Sequence, residues 1–393
     1  MSGALVGGVG MVKFSKPGAQ VPYPQMASDA IRVALADAGL QLGDVQQAYA
    51  GYCYGATTCG QRALYEVGMT GIPVINVRNA CATGSSALLL ARQAVASGAV
   101  DVALAFGFEE MKPGALVNED FRVSPVDRIV ARFNELGYPV DEAMSAPGFF
   151  GAAGQEYLSR YDAKADIFAK VAVKTRTHAA NNPMALFTKP ITVEEVMESP
   201  VIWGDYLTRL MACPPTCGAA AAVLVSGEFA RRHGLDARVS IAGQAMTTDT
   251  ADTFTAADMM QLVGYGMTQV AAKQVFETAG IGPEDVDVVE LHDCFAQNEL
   301  ISYEALGLCP EGGAEKFVAD GDNTYGGRFV TNPSGGLLSK GHPLGATGLA
   351  QCYELTQQLR GTAERRQVEG ARIGLQHNLG LGGACVVTLY KAG

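Results

Sequence analysis

Three short segments set thiols and imidazoles where strand patterns hand over to helical ones. Cys81 stands in Asn79-Ala80-Cys81-Ala82-Thr83-Gly84-Ser85-Ser86, after an apolar strand-like run at 71–77 and before a helical pattern at 88–95. A helix start offers free amides and a partial positive charge, which favour a thiolate and can hold an oxyanion. His292-Asp293-Cys294-Phe295 follows the strand-like run 286–291, at the kind of strand end where α/β sheets gather ligand and catalytic groups. Gly341-His342-Pro343-Leu344-Gly345 precedes a second small-residue helix start, Ala346-Thr347-Gly348. A lone cysteine is more often a buried structural thiol. Here two of only five histidines occupy the companion loops, and an imidazole in such a place can activate a thiol or donate to a carbonyl oxygen.

An internal repeat explains how segments so far apart could meet. Ala38-Gly39-Leu40 with Asp44-Val45 matches Ala279-Gly280-Ile281 with Asp285-Val286 at an offset of 241, which sets Cys53 opposite Cys294. Cys81-Ala-Thr-Gly84 matches His342-Pro-Leu-Gly345 at an offset of 261, with Leu88 and Leu349 each seven residues on. The second half therefore carries about twenty extra residues, placed around Pro310 to Arg328. The pattern reads as a duplicated α/β half, with nucleophile and histidine at pseudo-symmetric helix starts.

Composition bounds the rest. The 393 residues, 48 % hydrophobic with no long uninterrupted apolar run, describe a globular α/β chain without stable membrane insertion. Its 47 glycines exceed the usual ~7 % share and gather in the motif loops, as expected where backbone lies close to a substrate. A formal charge of −11 argues against nucleic acid as partner. Nine cysteines without a leader pattern read as reduced thiols, and the cytoplasm is the expected compartment. Cys213-Pro-Pro-Thr-Cys217 has no third or fourth ligand, so no metal site is expected.

The chain resembles the thiolase family, and within it the sterol-carrier-protein-2-type thiolases. The marks are Cys-Gly-Gln-Arg at 59–62, Gly-Met-Thr-Gly-Ile-Pro at 68–73, Asn-Asn-Pro at 181–183, His-Asp-Cys-Phe at 292–295 and Tyr-Glu-Ala-Leu-Gly-Leu-Cys-Pro-Glu-Gly at 303–312. They continue with Gly-Asp-Asn-Thr-Tyr-Gly-Gly at 321–327, Asn-Pro-Ser-Gly-Gly at 332–336, Gly-His-Pro-Leu-Gly-Ala-Thr-Gly at 341–348 and His-Asn-Leu-Gly-Leu-Gly-Gly-Ala at 377–384. The resemblance implies two βαβαβαββ halves in a five-layered α-β-α-β-α sandwich. Residues 1–111 with 212–235 would form the first half, 112–211 an inserted loop domain that binds acyl-CoA, and 236–393 the second half. The sterol-carrier domain fused to animal relatives is expected to be missing after Gly393.

The resemblance also implies roles. Cys81 would be the acylated nucleophile, His342 its activator and an oxyanion donor, His292 a second donor, and Cys294 the acid or base at the α-carbon. The amide of Cys81 and one from Gly380, Leu381 or Gly382 would form the other oxyanion hole. Phe149 and Phe150 replace a His-Met pair, giving either an apolar pocket wall or core packing. Ala80 stands where relatives often have asparagine, and Thr216-Cys217 where Ser-Asp is usual. The implied reaction is cleavage of a 3-oxoacyl-CoA by coenzyme A, or the reverse condensation, with coenzyme A as substrate and no bound cofactor. A retro-aldol lyase acting on steroid side chains and a noncatalytic acyl-CoA-binding subunit are the alternatives. A homodimer or homotetramer is expected, with a partner subunit as a further possibility.

Overall fold

A computed structural model describes residues 3–113, 123–138, 140 and 145–393. The first half runs β1 (Ala4–Met11), α1 (Tyr23–Ala38), β2 (Gln47–Gly51), α2 (Cys59–Leu64), β3 (Val74–Val77), α3 (Thr83–Ala96) and β4 (Val102–Glu109). An intervening region follows, with α4 (Asp127–Glu135), α5 (Ser145–Tyr161), α6 (Asp166–Ala179), α7 (Val193–Met197), β5 (Val201–Trp203) and β6 (Leu207–Thr208). The chain then returns through β7 (Gly218–Ser226) and α8 (Gly227–His233). The second half comprises β8 (Val239–Thr247), α9 (Ala251–Thr255), α10 (Met259–Leu262), α11 (Tyr265–Ala279), β9 (Val288–Glu290) and α12 (Ala296–Ala305). It closes with α13 (Ala314–Ala319), β10 (Val330–Thr331), α14 (Thr347–Arg360), β11 (Ile373–Gly380) and β12 (Ala384–Ala392).

The strand order β10-β9-β11-β12-β8-β1-β7-β4-β2-β3 reads as its own mirror, each half contributing five strands. The halves join where β1 pairs with β8 over only two residue pairs, Leu5 with Ser240 and Val6 with Val239. In each half the strand before the last helix and the strand after it run parallel to a shared neighbour, while the final strand turns back antiparallel. Parallel neighbours need crossover helices. Helices α3 and α14 supply them on the inner side and pack on each other, while α1 and α11 cover the outer faces. The α-β-α-β-α layering of the thiolase fold follows. The surplus expected near residues 310–328 is present as α13 and its flanking turns.

The inner helices approach unusually closely. A Cβ on Gly107 would lie 1.9 Å from the carbonyl oxygen of Gly345, one on Gly84 2.7 Å from the same oxygen, and one on Gly348 2.1 Å from Ser85 Oγ. Gly345 in turn is wedged against the carbonyls of Phe108, at 2.4 Å, and Gly51, at 2.5 Å, from its own would-be Cβ. These positions need glycine for space. Strand β7, Gly218-Ala-Ala-Ala-Ala, is similarly small because α1 lies on one face and α14 on the other.

Helices α4 to α6 do not form a separate core. Phe133, Phe149, Tyr157 and Phe168 share one apolar cluster with Phe276, Leu300, Tyr303 and Phe317 of the second half. The inner face of α6 reaches the segment that leads to His342. Lys174 pairs with Glu299 and donates to Thr331 Oγ1 at 2.8 Å, Arg176 Nε donates to Ser339 Oγ at 3.1 Å, and His178 Nδ1 lies 3.1 Å from Asn332 O. Among the described residues no helix is long and apolar enough to cross a membrane.

Gly107→Ala places a methyl group inside backbone that cannot move without parting β4 from the loop before α14. We expect a loss of about 3 kcal/mol or more, at the upper end for overpacking. Urea unfolding of the variant against wild type checks this; a loss below about 1 kcal/mol would show that the two halves can separate freely.

Candidate active site

Cys81 sits on a tight turn before α3. Ala82 N–H donates to Asn79 O at 3.1 Å and Thr83 N–H to Ala80 O at 3.2 Å. Thr83 Oγ1 accepts from Asn79 N–H at 2.7 Å and donates to Ala80 O at 2.6 Å, and Cys53 Sγ donates to that oxygen at 3.1 Å. The turn forces Ala80 to φ +45°, a left-handed conformation that costs a non-glycine residue about 1–3 kcal/mol. Asparagine adopts it more readily, which accounts physically for the residue expected there. Cys53 thus braces the Cys81 turn, while its repeat mate Cys294 stands at the corresponding loop of the second half.

Gly380 lies against the same turn: a Cβ there would be 2.6 Å from Asn79 O and 3.1 Å from Ala82 N. It is the last residue of β11 rather than part of a loop, and only Leu381, Gly382 and Gly383 form the hairpin to β12. The open side of Gly382 faces Pro125, with its carbonyl oxygen 3.9 Å from a would-be Cβ. Leu381 packs on the large apolar cluster. Of the three, the structure brings Gly380 to Cys81.

One ligand-type atom from each of Cys81, His292 and His342 lies within 4.8 Å of the other two. The imidazoles of His292 and His342 meet edge to face, with centroids 5.0 Å apart at 84°. His342 N–H donates to Thr216 Oγ1 at 3.1 Å, so Thr216 acts as a brace for the histidine loop. His342 Nδ1 is 2.7 Å from Thr347 Oγ1, which itself donates to Pro343 O at 3.0 Å. A carbonyl only accepts, so the threonine proton is committed there and Nδ1 carries the imidazole hydrogen. Nε2 then holds a lone pair, and it is buried without a hydrogen-bond partner among the described residues.

Cys294 completes the group. Its carbonyl accepts from Cys213 N–H at 2.9 Å, and Ala212 bridges to Phe295. Burial first, then the neighbouring thiols Cys213 and Cys81, pushes the Cys294 thiol well above its ordinary value. Cys213 is therefore a third thiol of the site, where sequence reading saw only a rejected metal pair.

Burial opposes the thiolate that a helix start would favour. It pushes the Cys81 thiol well above its ordinary value, and the nearby Cys53, Cys213 and Glu109 groups push the same way. The amides of Ala82 and Thr83 are spent inside the turn, and the amide of Cys81 itself offsets only part of that desolvation. His342 is held down to about 3 by burial and by Lys340, and His292 well below its ordinary range by burial and the two other imidazoles. Burial thus favours the neutral form of the thiol and of both imidazoles.

Phe149 is fully buried against Phe133, centroids 5.2 Å apart, and belongs to the core. Phe150 stacks on Phe295 at 5.1 Å, directly behind the Cys294 loop. Of the two readings for this pair, packing describes Phe149, and Phe150 meets the site only through Phe295. Sequence reasoning missed Thr347, Cys213 and the buried Asn378, whose Nδ2 is 3.0 Å from His292 Nδ1. The signal for the last was a polar Gln376-His377-Asn378 run inside an otherwise buried strand.

Residues 9–205 match the thiolase N-terminal domain and residues 248–389 the thiolase C-terminal domain-like family. The chain belongs to the thiolase family. This thiolase is 51 % identical over 398 residues to sterol carrier protein 2 of Oryctolagus cuniculus, covering 99 % of the chain and 72 % of the relative. It is 47 % identical over 395 residues to non-specific lipid-transfer protein-like 2 of Caenorhabditis elegans, covering 98 % and 95 %. The solved Ltp2-ChsH2(DUF35) aldolase superposes with a TM-score of 0.83 at 26 % identity, over 99 % of this chain and 98 % of that one. The thiolase is thus an enzyme of acyl-CoA chemistry related to the sterol-carrier-protein-2 type.

Burial, and then Lys340, hold the folded His342 imidazole down at about 3, below its ordinary value of 6.5. A depressed histidine stabilises the fold above the unfolded value and that contribution is lost as pH falls from 6.5 toward 3. His342→Gln lacks that loss, so its stability relative to wild type should rise by about 1.4 kcal/mol per pH unit in this window. Urea unfolding at pH 6.5, 5.5 and 4.5 measures the difference; a flat difference would place His342 in water.

Proposed function

We propose that this thiolase makes or breaks the carbon–carbon bond adjacent to an acyl-CoA thioester, with Cys81 carrying the acyl fragment. The observation that supports this is the Cys81 thiol set beside the unpartnered Nε2 of His342, with His292 at the same distance scale. In thiolysis the thiol proton passes to His342 Nε2 as Cys81 Sγ attacks the 3-oxo carbon. The C2–C3 bond breaks, C2 takes the Cys294 thiol proton, and acetyl-CoA leaves an acyl-Cys81. Coenzyme A then gives its proton to the Cys294 thiolate and attacks the acyl carbon. The returning Cys81 sulfur is reprotonated by His342, which closes the cycle.

The high proton affinity of Cys294 suits an acid that waits for a carbanion. His292 would donate to the thioester oxygen, and Gly380, packed on the nucleophile turn, would help shape the second oxyanion site. Residues 112–211 would cover the acyl-CoA through the contacts that α6 makes with the His342 segment.

Retro-aldol cleavage is the second reading, and the solved aldolase speaks for it rather than for thiolysis. There His342 would take the proton of a 3-hydroxyl group, C2–C3 would break to a carbonyl product, and C2 would again be protonated by Cys294. No acyl-cysteine forms. That relative is also a pairing of two named components, which supports a partner subunit here.

Intact-protein mass after brief exposure to acetoacetyl-CoA separates the two. An acetyl adduct on Cys81, discharged by coenzyme A and absent in Cys81→Ser, is expected, with turnover of the variant down at least about 1000-fold. Cleavage of a 3-hydroxyacyl-CoA to an aldehyde or ketone, undiminished in Cys81→Ser and without adduct, would instead establish the lyase.

A further inference from the structure

We propose that Gln376, Ser85 and Asn378 form a positioning relay that fixes the hydrogen of His292 on Nε2, so that His292 faces the site as a donor while His342 faces it as an acceptor. Its catalytic meaning rests on the function proposed above; the relay itself can be tested without substrate.

The argument starts from carbonyls, which cannot donate. Gln376 Nε2 is 2.8 Å from the backbone oxygen of Gly348, which sets the amide nitrogen on that side. The same nitrogen donates to Ser85 Oγ at 2.8 Å, and Tyr390 Oη donates to Gln376 Oε1. Gln351 agrees with this orientation: its Nε2 donates to the backbone oxygens of His377, at 3.0 Å, and Glu290, at 3.3 Å, and its Oε1 faces Gln376 Nε2.

Having accepted from Gln376, Ser85 sends its one proton to Asn378 Oδ1 at 2.8 Å. Asn378 must then present Nδ2 to His292 Nδ1, at 3.0 Å. An amide nitrogen only donates, so His292 Nδ1 is the lone pair and Nε2 bears the hydrogen. All of these groups are buried, so water offers no substitute orientation. The relay also explains a glycine: a Cβ at Gly348 would fall 2.1 Å from Ser85 Oγ and 2.7 Å from Asn378 Oδ1, in the space the relay occupies.

Two neighbouring imidazoles are thereby held in opposite tautomers, one by Thr347 and the other by Asn378. The donor suits an oxyanion and the acceptor suits the thiol proton. The same lock has a second effect. Cys81, His292 and His342 have the spacing of a thiolate–imidazole metal site, but a metal ion needs a lone pair from each imidazole. Wild type withholds the one on His292.

Asn378→Asp tests the relay with almost no change in shape. Its two carboxylate oxygens accept from Ser85 and from His292 Nδ1–H, which moves the lone pair to Nε2. Histidine-selective 15N NMR at pH 8, assigned with His292→Gln, should show the Nε2–H form in wild type and the Nδ1–H form in the variant. Turnover should fall about 100- to 1000-fold, the loss seen when one oxyanion donor is removed, with KM changed by less than about threefold. The variant should also acquire the near-ultraviolet charge-transfer band of thiolate-bound Co2+, which wild type lacks. If the aspartate variant does not fold, Ser85→Ala replaces it: Asn378 is then free to turn over, and His292 should show averaged tautomer shifts. A wild-type hydrogen on Nδ1, a variant that keeps its lone pair there, or full turnover after inversion would overturn the proposal. An inverted tautomer alongside no turnover of any acyl-CoA by wild type would uphold the relay and sink only the reading of the reaction.

Discussion

The whole site depends on how closely the first turns of α3 and α14 approach each other. Cys81 and His342 are 261 residues apart and belong to different halves, so only the packing of these two helix starts can hold them at one point. Side chains at Gly84, Gly107, Gly345 or Gly348 would overlap backbone or buried polar atoms, at would-be distances of 1.9 to 2.7 Å. The contact is therefore one of backbone against backbone, and a backbone contact cannot relax through rotamers as a leucine pair can. Rigidity at the junction is what allows a thiol and an imidazole without direct covalent or ionic linkage to keep a working distance.

Buried polar groups carry that rigidity outward. Glu109, at the end of β4, accepts from the amides of Cys53 at 3.0 Å, Tyr54 at 2.8 Å and Gly345 at 3.0 Å, tying a loop of each half to one carboxyl group. Asp293 accepts from Leu337 N–H at 2.7 Å and Leu338 N–H at 3.3 Å, and Glu290 from Ser334 N–H at 3.0 Å and from Lys340 Nζ at 3.3 Å. The segment before His342 is thus held by its own half from one side and by α6 from the other. Leaving any one of these amides or carboxyl oxygens buried without its partner would cost about 1–3 kcal/mol. Burial also keeps the acids partly neutral: desolvation lifts Glu109 to about 7. Its amide contacts are consistent with either protonation state, since both forms retain acceptor lone pairs.

Much of this was legible in the sequence because duplication leaves a pattern. The constant offsets located both helix starts, and the structure places Cys81 and His342 together as the repeat implied, with His292 beside them. The mirror-like strand order is the same information in three dimensions. What could not be read was direction and environment. Gly380 and Gly382 are two residues apart, yet a strand end points one at the nucleophile turn and the hairpin points the other at Pro125. Phe149 and Phe150 are adjacent on a helix, so they necessarily face different neighbours, Phe133 and Phe295. Cys213 follows an irregular stretch whose partner, the Cys294 backbone, lies 81 residues away, and no local pattern announces such a bridge.

At Cys81 two correct principles oppose each other. A helix start does favour a thiolate, and burial does oppose one; in this site the amides of Ala82 and Thr83 are consumed by the turn, and the amide of Cys81 offsets burial only in part. Burial disfavours the charged imidazoles as well, so the same environment works against a stored thiolate–imidazolium pair. In the proposed reaction, charge separation would then coincide with the attack, as an oxyanion would form between donors that are already aimed. Such an arrangement places its stabilisation at the transition state rather than in the resting enzyme, which is the difference that accelerates a reaction. The same neutrality protects a deeply buried thiol from chance oxidation or alkylation, since the thiolate is the reactive form.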